Sequence, residues 1–159
     1  MSMDFQQLFI ESNGEPIIYK NKVVIIGDKV ILPTKSVSLL VELISTKSEY
    51  KQGIVLGTNK GDFEIDGERL PSKRIILWET AIPKQVKVTV NTKDKILFVY
   101  NAWESINHLG NKVTDYGYYG AAMIAEKVNE TTTIYHCNDG EPDDDFDDLV
   151  FKVEIMSSL

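Results

Sequence analysis

Alternation of apolar and polar residues with a period of two is the feature that most restricts this chain. Val86, Val88 and Val90 interleave with Lys87 and Thr89, and Leu149, Phe151, Val153 and Ile155 interleave with Lys152 and Glu154. Successive side chains on a strand point to opposite faces, so each run predicts a strand with an apolar inner face and a polar outer one. Residues 96–100 are apolar throughout, as a central strand covered on both faces requires. Further runs rich in Val, Ile, Thr and Tyr predict strands over 17–20, 22–26, 29–33, 38–44, 52–57, 62–66, 73–79, 119–127 and 131–137. Helical signals are thin. Residues 3–10 could make about two turns, and 37–44 reads either as strand or as buried helix.

Turn residues punctuate these runs. Gly27-Asp28, Asn59-Lys60-Gly61 and Asp66-Gly67 predict hairpins, while 91–95 and 128–130 predict short polar loops. Pro83 falls between strands, where its missing N–H costs nothing. Around ten short strands at turn-bounded spacing imply an all-β fold: an antiparallel β-sandwich, jelly-roll or immunoglobulin-like, with a barrel as second choice. A chain of 159 residues can bury enough surface to fold as one domain over 1–159 without a disulfide or metal. Two longer connections, 101–118 and 138–148, are expected as the loops that carry function.

Charge singles out the second of these. Lys and Arg number 17 and Asp and Glu 24, a net charge of −7. Seven acids lie within residues 139–148, which contain no base; without them the chain balances, 17 against 17. The absence of a basic run argues against nucleic acid and anionic membrane as partners. No signal-peptide pattern and no apolar run of membrane-spanning length is visible, which gives the expectation of a cytoplasmic protein. Cys137 is the single cysteine, so no internal disulfide forms.

Hard cations such as Ca²⁺ take six to eight oxygen ligands, and carboxylates on a loop are their usual source. Asp143, Asp145 and Asp147 have i, i+2, i+4 spacing, which in an extended segment places three carboxylates on one side. Phe146, facing the other way with Asp144 and Asp148, is the expected anchor into the core. Asn138 and Asp139 could fold back to complete the shell. The spacing is not that of an EF-hand: counted from Asp143, the place of the turn glycine holds Asp148.

Other constellations carry less. Trp103, Tyr116, Tyr118 and Tyr119 flank the 101–118 connection and could form an aromatic platform for sugar rings, whereas Trp78, in an apolar run, is expected in the core. His136 and Cys137 are adjacent and would face opposite ways on a strand, and His108 is the only other histidine, so zinc lacks its ligands. Cys137 is expected as a small buried apolar residue. No nucleophile elbow, HExxH pair or phosphate loop is present, and no catalytic residue is assigned.

The stretch Asp143-Asp144-Asp145-Phe146-Asp147-Asp148-Leu149-Val150-Phe151 resembles the D-x-D-F-N-D-x-V-F ending of certain bacterial β-sandwich domains, often surface or secreted, with Asp147 where that pattern usually has Asn. That resemblance implies calcium binding. Residues 75–155 also resemble a group of small bacterial proteins of unknown function, through Leu77-Trp78-Glu79-Thr80, Tyr100-Asn101-Ala102-Trp103, Gly120-Ala121-Ala122-Met123 and the run from Cys137-Asn138-Asp139-Gly140 to Phe151. A shared fold is implied, but no activity.

The sequence therefore points to a non-enzymatic binding module. Its acidic loop would hold calcium through Asp139, Asp143, Asp145 and Asp147, with Asn138 and Asp148 beside them. Alternatively, the loop docks a basic protein, as in bacterial inhibitors and immunity proteins, through electrostatic steering. A third reading is carbohydrate binding at Trp103 and Tyr116–Tyr119.

Overall fold

The computed structural model describes residues 4–140 and 145–156. A short helix α1 (Phe5–Glu11) is followed by strands β1 (Ile17–Tyr19), β2 (Lys22–Val24), β3 (Asp28–Ile31), β4 (Ser36–Thr46), β5 (Lys51–Gly57), β6 (Gly61–Ile65) and β7 (Glu68–Leu70). Then come β8 (Arg74–Trp78), β9 (Gln85–Thr92), β10 (Ile96–Ile106), β11 (Lys112–Tyr116), a single 3₁₀ turn (Gly117–Tyr119), β12 (Ala122–Lys127), β13 (Thr132–Asn138) and β14 (Leu149–Met156). All pairings between these strands are antiparallel.

Two larger sheets form the sandwich. One has the order β12-β13-β14-β4-β9-β6-β7; the other runs β11-β10-β5-β8, with β3 also paired to β10. The alternating valines behave as the pattern requires: Val88 and Val90 are buried opposite Leu39 and Val37, while Lys87 points outward. Phe63, Leu97, Tyr135 and Phe151 fill the space between the sheets, the last two stacked with ring centres 5.0 Å apart. Residues 37–44 are strand, since β4 is the long central strand between β14 and β9.

α1 matches the two turns expected. Asp4 caps it by accepting a hydrogen bond from Gln7 N at 3.2 Å, and Phe5 and Phe9, four apart on one face, are buried. With Val24, Ala122 and Phe146 they make a second, smaller core beside β12 and the hairpin β1–β2.

Several connections differ from the sequence reading. Gly27-Asp28 is no hairpin: β2 pairs with β1, whereas β3 joins β10 in the five-stranded sheet. Residues 59–61 also carry the chain across the sandwich, from β5 to β6, and close no hairpin, while 91–95 is the short connection expected and leads from β9 to β10 in the other sheet. Turn chemistry reverses the chain, but it does not specify which sheet receives it. Asp66-Gly67, with φ of 53° and 77°, does close the hairpin β6–β7, and 128–130 closes β12–β13. The expected 101–118 loop is mostly sheet: β10 runs on to Ile106 and returns as β11, so only the five residues between them are connection. Among the described residues no helix is long and apolar enough to cross a membrane.

Candidate functional site

β13 ends at Asn138, and the returning chain bonds back to it: Phe146 to Asn138 and Asp148 to Asp139. Asn138 and Asp139 are fully buried, and Asp148 nearly so at 7% exposure. Of the expected one-sided row of carboxylates, Asp145 and Asp147 lie on the outer side and Asp143 lies outside the described residues. Phe146 and Asp148 face inward and Asp145 and Asp147 outward, the alternation expected, although the Phe146 backbone is left-handed, φ 54°. The anchor itself is as expected: Phe146 is buried against Phe5, ring centres 5.6 Å apart, and its N–H donates to Asn138 Oδ1 at 2.7 Å. Asp145 is exposed, and Asp147 lies 3.8 Å from Lys47 Nζ at the surface. Asp143, Asp144, Glu141 and Pro142 lie outside the described residues.

Asp139 and Asp148 turn inward instead. Asp148 Oδ2 accepts from Asp139 N–H at 3.0 Å, so one carboxylate is held against the backbone of the other. Asp139 Oδ2 accepts from Ser48 Oγ and, at 3.2 Å, from Gln52 Nε2. Asn101 Nδ2 donates to Asn138 O at 2.9 Å, and Gln52 N–H to Glu79 Oε2 at 2.9 Å. Gln52 and Asn101 sit on the inner faces of β5 and β10, fully buried, and their amide oxygens, Oε1 and Oδ1, have no hydrogen-bond partner. A buried amide oxygen left alone costs about 1–3 kcal/mol. Burial pushes the Cys137 thiol up, and the neighbouring Asp148 carboxylate adds to the shift. Among the described residues, no three His, Cys, Asp or Glu side chains converge as a metal site.

Trp103 is misplaced in the sequence reading. It lies on β10 facing inward, 2% exposed, and packs beneath the turn: a Cβ at Gly140 would stand 3.0 Å from its ring. Gly120, at φ 111°, approaches Gly140 equally closely, so the segments holding Trp103, Gly120 and Gly140 interlock. Five stretches far apart in sequence thus meet here, around Ser48–Gln52, Glu79, Asn101–Trp103, Gly120 and Asn138–Gly140. Gln52, Ser48 and Asn101 were missed as site residues. For Gln52 and Asn101 the one sequence sign was a polar side chain inside an otherwise apolar strand; Ser48, in the β4–β5 connection, had none.

A different surface gathers the aromatics. On the outer face of the five-stranded sheet, pairing aligns Tyr116, Ala102, Gly53 and Trp78 in one row, Tyr100, Val55 and Ile76 in the next, and Phe98, Gly57 and Arg74 in a third. Trp78 is half-buried on this face, not in the core as expected, with its indole over Gly53. Arg74 lies 5.1 Å from the Tyr116 ring centre and Lys51 Nζ 4.8 Å from that of Trp78. The hydroxyls of Tyr100 and then Tyr116 hold the Arg74 guanidinium above its ordinary pKa. Tyr100 and Tyr116 continue into a cavity of about 670 Å³ bounded by Gln6, Ile26, Gly27 and Tyr119. Tyr116 and Tyr119 are therefore brought together as expected, with Tyr119 64% exposed, while Trp103 is not part of the platform. The Tyr118 backbone lies in the 3₁₀ turn beside them.

Comparison with protein families, with curated proteins and with solved structures finds no match to this chain.

Proposed function

We propose that the protein is a non-enzymatic binding module whose polar end holds a hard cation of the calcium type. The reading rests on one observation: the amide oxygens of Gln52 and Asn101 are buried and unpartnered, on side chains whose amide nitrogens bond Asp139 Oδ2 and Asn138 O. A cation answers two costs together. It offsets the charge of the buried Asp139 and Asp148 carboxylates and supplies the interaction that the two amide oxygens lack. Carboxylate and amide oxygens are the donor set that Ca²⁺ takes and that Zn²⁺ does not favour. In this proposal the acidic segment is ordered from its inner end, by Asp139 and Asp148, while Asp145 and Asp147 remain at the surface.

The test is thermal unfolding in millimolar Ca²⁺, in Mg²⁺ and in chelator. A ligand at 100 times its Kd adds about 2.7 kcal/mol, which for a domain of this size is a rise of roughly 5–10 °C. Asp139→Asn and Gln52→Leu should each reduce that rise, whatever they do to the chelated protein. No rise above a matched ionic-strength control would overturn the proposal and leave the exposed acids as a surface for a basic partner.

A further inference from the structure

The outer face of the five-stranded sheet carries rings and aliphatic chains. A sheet face turned to water ordinarily carries polar side chains, as the other sheet's does. Here Phe98, Tyr100, Ile76, Trp78 and Tyr116 stand on it, with Tyr116 and Tyr119 exposed. From Tyr116 to Trp78 the row spans three strand spacings, about 14 Å, and between them lie the small residues Ala102 and Gly53. Ile76 and the Trp78 indole lie over Gly53, so the row presents a filled apolar surface, with aromatic residues at both ends, of the length of a short oligosaccharide.

The charge on this face selects among such ligands. Among the described residues, Lys29, Lys51, Arg74 and Lys112 share it with a single acid, Glu104, which pairs with Lys51 at 3.3 Å and Lys112 at 3.9 Å. The face is thus net positive on a chain whose net charge is −7. Its cations lie against the rings themselves, Arg74 at Tyr116 and Lys51 at Trp78. Sugar rings stack on aromatic faces, and a planar carboxylate matches the guanidinium fork. We infer that this face binds an acidic polysaccharide, a chain of uronate sugars that lies across β11, β10, β5 and β8. The sugar rings pack on Tyr116 and Trp78, their carboxylates meet Arg74 and Lys51, and one end reaches the cavity beside Tyr119. Binding here involves none of the residues of the proposed cation site.

Titration calorimetry with a short oligogalacturonate and with a neutral oligogalactan of equal length tests the assignment, each run with calcium and with chelator. The acidic sugar should bind at least about tenfold tighter, with affinity falling as salt is raised. Arg74→Gln and Tyr116→Ala, both at exposed positions, should each weaken it about tenfold while leaving the unfolding temperature near wild type. Lys87→Ala, on the other sheet's outer face, should change nothing. Equal affinity for the neutral sugar, or no binding of either, would overturn the inference. So would a dimer in sedimentation that Tyr116→Ala dissociates, since a second copy would then cover the face. Binding that persists in chelator keeps the inference standing even where the cation proposal fails.

Discussion

The outward faces of the two sheets were built from different materials. On the seven-stranded sheet, polar side chains pair across strands: Lys152 with Glu42 at 3.4 Å, Gln85 with Glu42 at 3.0 Å, Ser36 with Asn91 at 2.8 Å, and Arg69 with Asp62 at 2.7 Å. These contacts are short, local and wet, and each is worth little. On the five-stranded sheet, rings and aliphatic chains cover Val55, Ala102 and Gly53, so that even outward-facing residues are buried. One face is content with solvent; the other behaves as half of an interface. The difference teaches that the sandwich needs no apolar outer face for its stability, because the seven-stranded sheet does without one.

Substitutions on the two faces should therefore respond unequally. The largest effect is expected at Gly53, where an added Cβ would lie 2.7 Å from Ile76 Cγ2 and 2.9 Å from the Trp78 ring. Gly53→Ala should cost about 1–3 kcal/mol in urea unfolding, whereas Thr89→Ala on the opposite face should stay within about 0.5 kcal/mol. Equal costs would remove the contrast. A second test addresses what joins the sheets. Tyr135 of β13 donates its hydroxyl to Asp28 of β3 at 2.6 Å, and burial, reinforced by Asp28, raises its phenolic pKa above the ordinary value. The folded chain keeps that proton while the unfolded chain releases it near pH 10, so wild-type stability should decline from about pH 10 upward. Tyr135→Phe should be less stable at neutral pH by about 1.5 kcal/mol and should lack that part of the alkaline decline. The smallest effect belongs to Glu42→Gln. It should move the unfolding temperature barely beyond measurement error, and not at all in high salt, because its partners are solvent-exposed.

Much of the fold was legible because it rests on period-two patterning. Strands from Val86, Val88 and Val90 and from Leu149 to Ile155, the short helix, the burial of Cys137 and the Phe146 anchor all follow from local sequence. Sheet membership did not. Gly27-Asp28 and Asn59-Gly61 look like hairpin turns, yet they cross between layers, and the choice is made by long-range packing. β11 escaped notice because Lys112–Tyr116 is an edge strand with exposed and half-buried residues and no apolar run. The site was half legible. The acidic segment and the inward side of Phe146, Asp148 and Asp139 were visible, but their partners Ser48, Gln52 and Asn101 were not, since these come from stretches far away in sequence. The aromatic face was hidden because Trp78, Tyr100 and Tyr116 meet only through strand register.

Phe146 has a last consequence. Its ring sits in the small core that Phe5 and Phe9 of α1 fill from the other side, next to Tyr19, whose ring centre is 5.3 Å from Phe5. Two stretches separated by nearly the whole chain thus share one plug, and neither can seat it alone. Whatever organises the carboxylate segment tightens the grip on the first helix, and whatever pulls the first helix away loosens the carboxylate segment. The opening residues of the chain are in this sense a remote gauge of events at residue 139, readable by a probe placed far from the acids themselves.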